Sequence, residues 1–210
     1  MKKEFLQFDI VRDNAIKLAS RIYSEGFIPD VIYVSLRGGA YLGNIISEYF
    51  KIVRKNARPV YYAAVVARSY TDVSIASGVK VDGWTYSPDY LRVGDKVLLV
   101  DDIFDSGKTI NHLANIILEK GIPRDDLKIA VHDYKYFTDK ARQLPIQPDF
   151  WCRKHEASVN DEATWIHYMS HELIGLKEKE LEANYYSRDP SLRDSLNILT
   201  ENARNEEQNK

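Results

Sequence analysis

The stretch from Val97 to Thr109 constrains this chain more than any other. It reads Val97-Leu98-Leu99-Val100, then Asp101 and Asp102, then Ile103-Phe104, a third carboxylate at Asp105, and Ser106-Gly107-Lys108-Thr109. A short β-branched and leucine run of this kind is a buried strand. Behind it Ile110, Leu113, Ala114 and Ile117 mark the inner face of a helix that stops near Gly121 and Pro123. The turn between them has a chemical bias. Backbone N–H groups at a helix start lack partners, a glycine lets an anion come close, and flanking hydroxyls add donors, so the Ser106 to Thr109 end suits phosphate. The aspartates upstream are acceptors, suited to sugar hydroxyls or a hydrated cation.

Similar units flank it. A helix is expected from about Asp9 to Glu25, with Ile10, Val11, Ile16, Leu18, Ala19, Ile22 and Tyr23 at helical spacing and Gly26 as its stop. Val31 to Ser35 reads as a strand. After Leu36-Arg37-Gly38-Gly39 a second helix buries Leu42, Ile45, Ile46, Tyr49 and Phe50. Pro59 to Ala67 and Leu127 to Tyr134 are further strands, and the polar stretch from Arg68 to Tyr90 reads as a long loop or lid. Strands alternating with helices give an α/β fold: a mostly parallel twisted sheet flanked by helices, its ligands beyond the carboxyl ends of the strands.

The pattern changes near Pro148. A short strand, Asp149 to Cys152, a polar loop, and Thr164 to Tyr168 suggest a small hood lobe with charged helical sequence behind it. The expected organisation is a core over residues 1–147 with its N-terminal helix, a base-recognition hood over 148–186, and a helical tail over 187–210. Leu192, Leu196 and Leu199, after the Asp189-Pro190 start, are expected to dock on the body or on a partner chain, and the end from Glu201 to Lys210 to fray.

Composition limits the partners. With 210 residues the chain can bury an ordinary core, and its single cysteine, Cys152, excludes an intrachain disulfide and fits a reducing cytoplasmic setting. No apolar run approaches membrane-spanning length, and a formal net charge of -2 gives no general reason to bind nucleic acid. Gly107-Lys108-Thr109 is not the end of a nucleotide-triphosphate loop, because Asp102 stands where that motif needs glycine. A receiver domain also carries an acidic pair, but near its start and without this phosphate turn.

Val97 to Thr109 closely resembles the ribose-phosphate signature of type I phosphoribosyltransferases. By that resemblance Asp101 and Asp102 face the ribose hydroxyls of 5-phosphoribosyl 1-pyrophosphate, and Asp105, Ser106, Gly107, Lys108 and Thr109 wrap its 5-phosphate. Three further places are similar to the branch acting on the 6-oxopurines hypoxanthine, guanine and xanthine. Leu36, Arg37, Gly38 and Gly39 match its pyrophosphate loop, which implies a cis Leu36–Arg37 peptide and an Arg37 fork on pyrophosphate. Arg68, Ser69 and Tyr70 stand where a catalytic loop closes over the reacting centre. Lys135 matches a lysine that reads the purine 6-oxo group, while Trp165 and Ile166 match the residues that stack on the base and read its edge.

The resemblance implies Mg²⁺ as cofactor, held at Asp101 and Asp102 with Glu172, which stands seven residues after Trp165. It also makes Asp105 the candidate for proton handling, and a homodimer or higher homo-oligomer the assembly. Its implied activity is purine salvage, with phosphoribosyl pyrophosphate and a purine base as small-molecule substrates. The competing readings are another base (orotate, uracil or adenine) or a regulator that senses phosphoribosyl pyrophosphate. The sequence departs from the family pattern at His132-Asp133, polar residues in an otherwise apolar strand, and between His167 and His171.

Overall fold

The computed structural model describes residues 2–55, 58–69, 78–157 and 164–197. The chain divides into two compact units, residues 8–163 and residues 1–7 together with 164–210.

The larger unit opens with α1 (Phe8–Ser24), whose stripe Val11, Ala15, Leu18, Ala19 and Ile22 is buried. Then come β2 (Val31–Leu36), α2 (Ala40–Val53), β3 (Tyr61–Ser69), β4 (Val79–Trp84), β5 (Val97–Phe104), α3 (Lys108–Leu118), β6 (Leu127–Phe137) and β7 (Phe150–Ala157). The label β1 belongs to Lys3–Leu6, in the other unit. The six strands form one sheet in the order β4-β3-β2-β5-β6-β7. Every neighbouring pair is parallel except β3 with β4. β2 and β5 are adjacent at the centre although β3 and β4 separate them in sequence. The strand order reverses there, and the carboxyl ends at such a reversal are where open α/β sheets bind ligands.

Side-chain alternation sends Ile32, Val34, Leu98 and Val100 to the core shared with α1 and α2. Val31, Tyr33, Leu99 and Ile129 join the α3 residues Ile110, Leu113 and Ile117 on the other face. Strands covered on both faces read as continuous apolar runs, which is why Val31 to Val34 and Val97 to Val100 lack alternation. Cys152 is partly buried in β7, where burial first and the charge of Asp133 second push its thiol up to about 12.

Two expectations change. The stretch from Arg68 to Tyr90 is not one long loop, because Val79–Trp84 returns antiparallel to β3 as a hairpin, with a bulge at Val66/Ala67. The core also does not end at residue 147. Phe150–Ala157 is a full edge strand paired along β6, and Phe150 is buried in the core under α1.

In the smaller unit β1 pairs in parallel with β8 (Trp165–Tyr168), Lys3 opposite Trp165. A helical turn, α4 (Glu178–Leu181), runs into a π-helical turn over Glu182–Tyr186. Leu181, Tyr185, Tyr186 and Leu196 make its core, with Leu192 packed against them. Leu199 and the tail after it lie outside the described residues. No helix among the described residues is long and apolar enough to cross a membrane.

Candidate active site

The two turns singled out in the sequence meet at the strand-order reversal. β2 ends in Leu36, the Leu36–Arg37 peptide is cis, and Gly39 caps the start of α2. Gly39 N–H donates to Ser35 O (2.9 Å), closing the loop on its own strand and leaving the Arg37 side chain exposed. Crowding favours glycine at both positions, against backbone at Gly39 and against a side chain at Gly38. A Cβ on Gly39 would lie 2.7 Å from Val100 O, and one on Gly38 would lie 2.3 Å from Asp102 Oδ1. The Arg37 loop and the acidic end of β5 are thus in contact.

Asp101 and Asp102 are adjacent, and their surroundings differ. Asp101 is buried; burial first and the Asp102 charge second hold its carboxyl well above the usual carboxylate range, with the Ser35 hydroxyl bonded to it. Asp101 Oδ1 accepts from Asp102 N–H (3.0 Å), and Asp102 Oδ1 accepts from Ile103 N–H (2.8 Å). Asp102 is the more exposed of the pair.

Beyond β5 the chain passes Asp105 and Ser106 and reaches Gly107, the cap of α3, at φ +76°. Only glycine adopts that conformation without cost, and here the Phe104 ring lies where a Cβ would sit, 2.3 Å away. A cavity of about 230 Å³ opens over this turn, lined by Asp101 to Ile103 and Asp105 to Ile110. It faces the start of an eleven-residue helix, whose first N–H groups are natural anion donors. Asn111 anchors the turn from below: its Nδ2 donates to Gly107 O (3.1 Å) and Ile146 O (2.8 Å), and its Oδ1 accepts from Ile146 N–H (3.0 Å). One asparagine in a helix pattern gives no sign of that role in the sequence.

Lys135 extends the site sideways. Phe104 is opposite Tyr134 in register, so the next residues, Asp105 and Lys135, are neighbours, and Lys135 Nζ pairs with Asp105 Oδ1 at 2.8 Å. Arg68, on the β3 hairpin, pairs with Asp82 across to β4. Ser69 ends β3, and Tyr70 lies outside the described residues.

Trp165, Ile166 and Glu172 belong to the smaller unit. Trp165 opens β8 with its ring exposed, while Ile166 is buried. Glu172 Oε2 accepts from Trp165 Nε1 (3.3 Å) and from Tyr168 N–H (3.2 Å), so the spacing of seven brings carboxylate and indole together.

The phosphoribosyl transferase domain model matches residues 2–158, more than half of the chain. The chain belongs to the phosphoribosyl transferase domain family. Its fold is that of the type I phosphoribosyltransferases. The chain is 28% identical over 162 residues to the bifunctional protein PyrR of Microcystis aeruginosa, covering 76% of this chain and 86% of that one. Among solved structures it is similar to the purine phosphoribosyltransferase of Pyrococcus horikoshii Ot3, with a TM-score of 0.61 and 21% identity over 85% of this chain and 99% of that chain. It is also similar to the xanthine-guanine-hypoxanthine phosphoribosyltransferase of Helicobacter pylori, with a TM-score of 0.53 and 17% identity over 87% and 98% of the two chains. At these identities the structural likenesses speak for the phosphoribosyltransferase fold and leave the base open.

Proposed function

We propose that the protein transfers the 5-phosphoribosyl group from 5-phosphoribosyl 1-pyrophosphate to a 6-oxopurine (hypoxanthine, guanine or xanthine), releasing pyrophosphate, in cytoplasmic purine salvage. The observation that carries this reading is the position of Lys135 beside Asp105, one strand over from the phosphate turn. An ammonium has three donors and no acceptor, so it prefers a ring carbonyl to the exocyclic amine of adenine.

In this reading the start of α3, from Ser106 to Thr109, takes the 5-phosphate. Arg37 and the backbone from Leu36 to Gly39 take pyrophosphate, with the guanidinium forking onto two oxygens. Asp101 and Asp102 take the ribose hydroxyls. Arg68, Ser69 and Tyr70 close over the reacting centre and exclude water. Trp165 stacks on the base and Ile166 reads its edge through the main chain. Asp105 accepts the proton that leaves the base.

The residues fit a magnesium ion. Mg²⁺ is bound through one or two carboxylates and substrate phosphates, and Asp102 is a hard oxygen donor at the mouth of the phosphate cavity. Asp102 is proposed as its main ligand, with Asp101 behind it; the resemblance adds Glu172 to the proposed metal residues. When bound, the ion neutralises charge on the departing pyrophosphate. A homodimer or higher homo-oligomer is the proposed assembly, since Ile52, Tyr62 and Val66 expose apolar side chains on α2 and β3.

Pyrophosphate release measured with each base in turn, with and without Mg²⁺, tests this directly. A 6-oxopurine is expected to support Mg²⁺-dependent release, and Asp105→Asn to slow turnover by about a hundredfold, within the usual range for a proton-transfer group. Release with uracil, orotate or adenine alone would move the substrate to that base. Silence with every base would leave a sensor of phosphoribosyl pyrophosphate. That second reading has one observation in its favour, since the curated relative of Microcystis aeruginosa is named as bifunctional.

A further inference from the structure

The departure at His132-Asp133 builds a buried polar cluster that the proposed reaction leaves unused. Alternation along β6 breaks there: Val131 and Tyr134, three residues apart, both pack in the core on the α3 side, as does Trp151 of β7. His132 and Asp133 are wholly buried between them. Asp133 meets three side chains. Its Oδ2 meets His132 Nδ1 at 2.7 Å, and its Oδ1 meets both Arg153 Nε and His155 Nε2 at 2.6 Å. His132 Nε2 is 3.1 Å from Asn14 Nδ2, an amide nitrogen that can only donate. His132 therefore carries its proton on Nδ1 and gives it to Asp133.

His155 extends this cluster to the site. It is opposite Lys135 in the β6–β7 register, so Asp105, Lys135 and His155 form one row across the carboxyl edge of β5, β6 and β7. Adjacent strands are about 4.8 Å apart. The His155 side chain is 34% exposed, and among the described residues its Nδ1 takes no hydrogen bond. A carboxylate can only accept, so Nε2 donates to Asp133, and Nδ1 then presents a lone pair.

We propose that His155, oriented by Asp133, is a specificity-determining residue that accepts the ring N–H beside the carbonyl read by Lys135. Donor and acceptor on neighbouring strands match the two halves of a lactam, O=C–N–H, as in a 6-oxopurine or in uracil. An amino base places an amine and a bare ring nitrogen there, and both would face the wrong partner. Asp133 is a positioning residue, because it fixes the tautomer and the ring. The inference rests on the phosphoribosyltransferase reading and on Lys135 as the carbonyl reader, and not on the choice of purine over pyrimidine.

Two amide substitutions separate recognition from support. His155→Gln places its amide nitrogen near Nε2 and keeps the Asp133 hydrogen bond while removing Nδ1. His155→Asn keeps an acceptor near Nδ1 and loses the Asp133 bond. The measurement is kcat/KM of wild type and both variants for hypoxanthine and adenine, with thermal unfolding of each protein. The expected result is a His155→Gln protein that melts like wild type and loses about tenfold or more on hypoxanthine, as for one lost hydrogen bond, with adenine unchanged. His155→Asn is expected to retain more hypoxanthine turnover despite its weaker tie. Equal losses on both bases, or none on either, in a stable His155→Gln protein would overturn the proposal. If wild type uses uracil instead, the purine reading fails and the same comparison is made between uracil and cytosine. A wild type silent with these four bases and with guanine, xanthine and orotate ends the transferase reading and this inference with it.

Discussion

At Gly38 one hydrogen atom decides where a carboxylate can sit. A methyl group there would overlap Asp102 Oδ1, Cγ and Oδ2, all within 2.4 Å. The obstructing atoms are the end of a movable side chain, so Gly38→Ala is expected to cost little stability and to push Asp102 out of place. Its melting temperature should stay within a few degrees of wild type, while Mg²⁺-dependent kcat/KM falls by about tenfold or more, as for a displaced charged contact. A large melting shift with intact turnover would mean that the loop, and not Asp102, absorbs the methyl group. The glycine pair itself was legible in the sequence as a turn that lets an anion approach. Its contact with Asp102 was not, because sequence gives the two loops and no distance between them. The same limit hid Ser35, a common residue whose hydroxyl reaches the buried Asp101.

Among the elements, α3 depends on a side chain that looks unremarkable in its sequence. Asn111 is buried and satisfies the backbone of Ile146 in both directions while bonding back to Gly107. Asn111→Leu would leave a buried N–H and a buried C=O without partners, at a cost of roughly 2–3 kcal/mol. A urea melt should show the midpoint fall with the slope unchanged. An unchanged midpoint would mean that the segment around Ile146 relaxes to find other partners. Legibility differs sharply between strands. β2 and β5 stand out because both faces are covered and their apolar runs are unbroken. β4 was missed because Val79–Trp84 is an edge strand with a lysine, an aspartate and a glycine, and its partner is the hairpin and not the core. β7 was cut short because Arg153, Lys154, His155 and Glu156 look like a loop until Asp133 is seen to accept the first and third of them.

For the molecule as a whole, the two units need not respond alike to solution conditions. In the smaller one burial first and the Lys3 ammonium second hold the His167 imidazole below its usual value, with Nε2 3.1 Å from Tyr185 Oη. A histidine depressed on folding is protonated more readily in the unfolded chain. Its contribution is complete above the unfolded value of about 6.5 and is lost as the pH falls through the folded value. The unit built on β1 and β8 is therefore expected to loosen as the pH falls below about 6.5. Hydrogen exchange of the β8 amides against pH reads this locally, and His167→Gln should flatten the profile. An exchange rate at β8 that tracks the sheet amides at every pH would show that the two units open together.

The β1–β8 ladder also has a consequence for synthesis. Lys3 pairs with Trp165, so the first strand leaves the ribosome about 160 residues before the strand that will hold it. Through that interval the entire β-α sheet of the larger unit is made, and β1 waits for a partner strand that is synthesised after it.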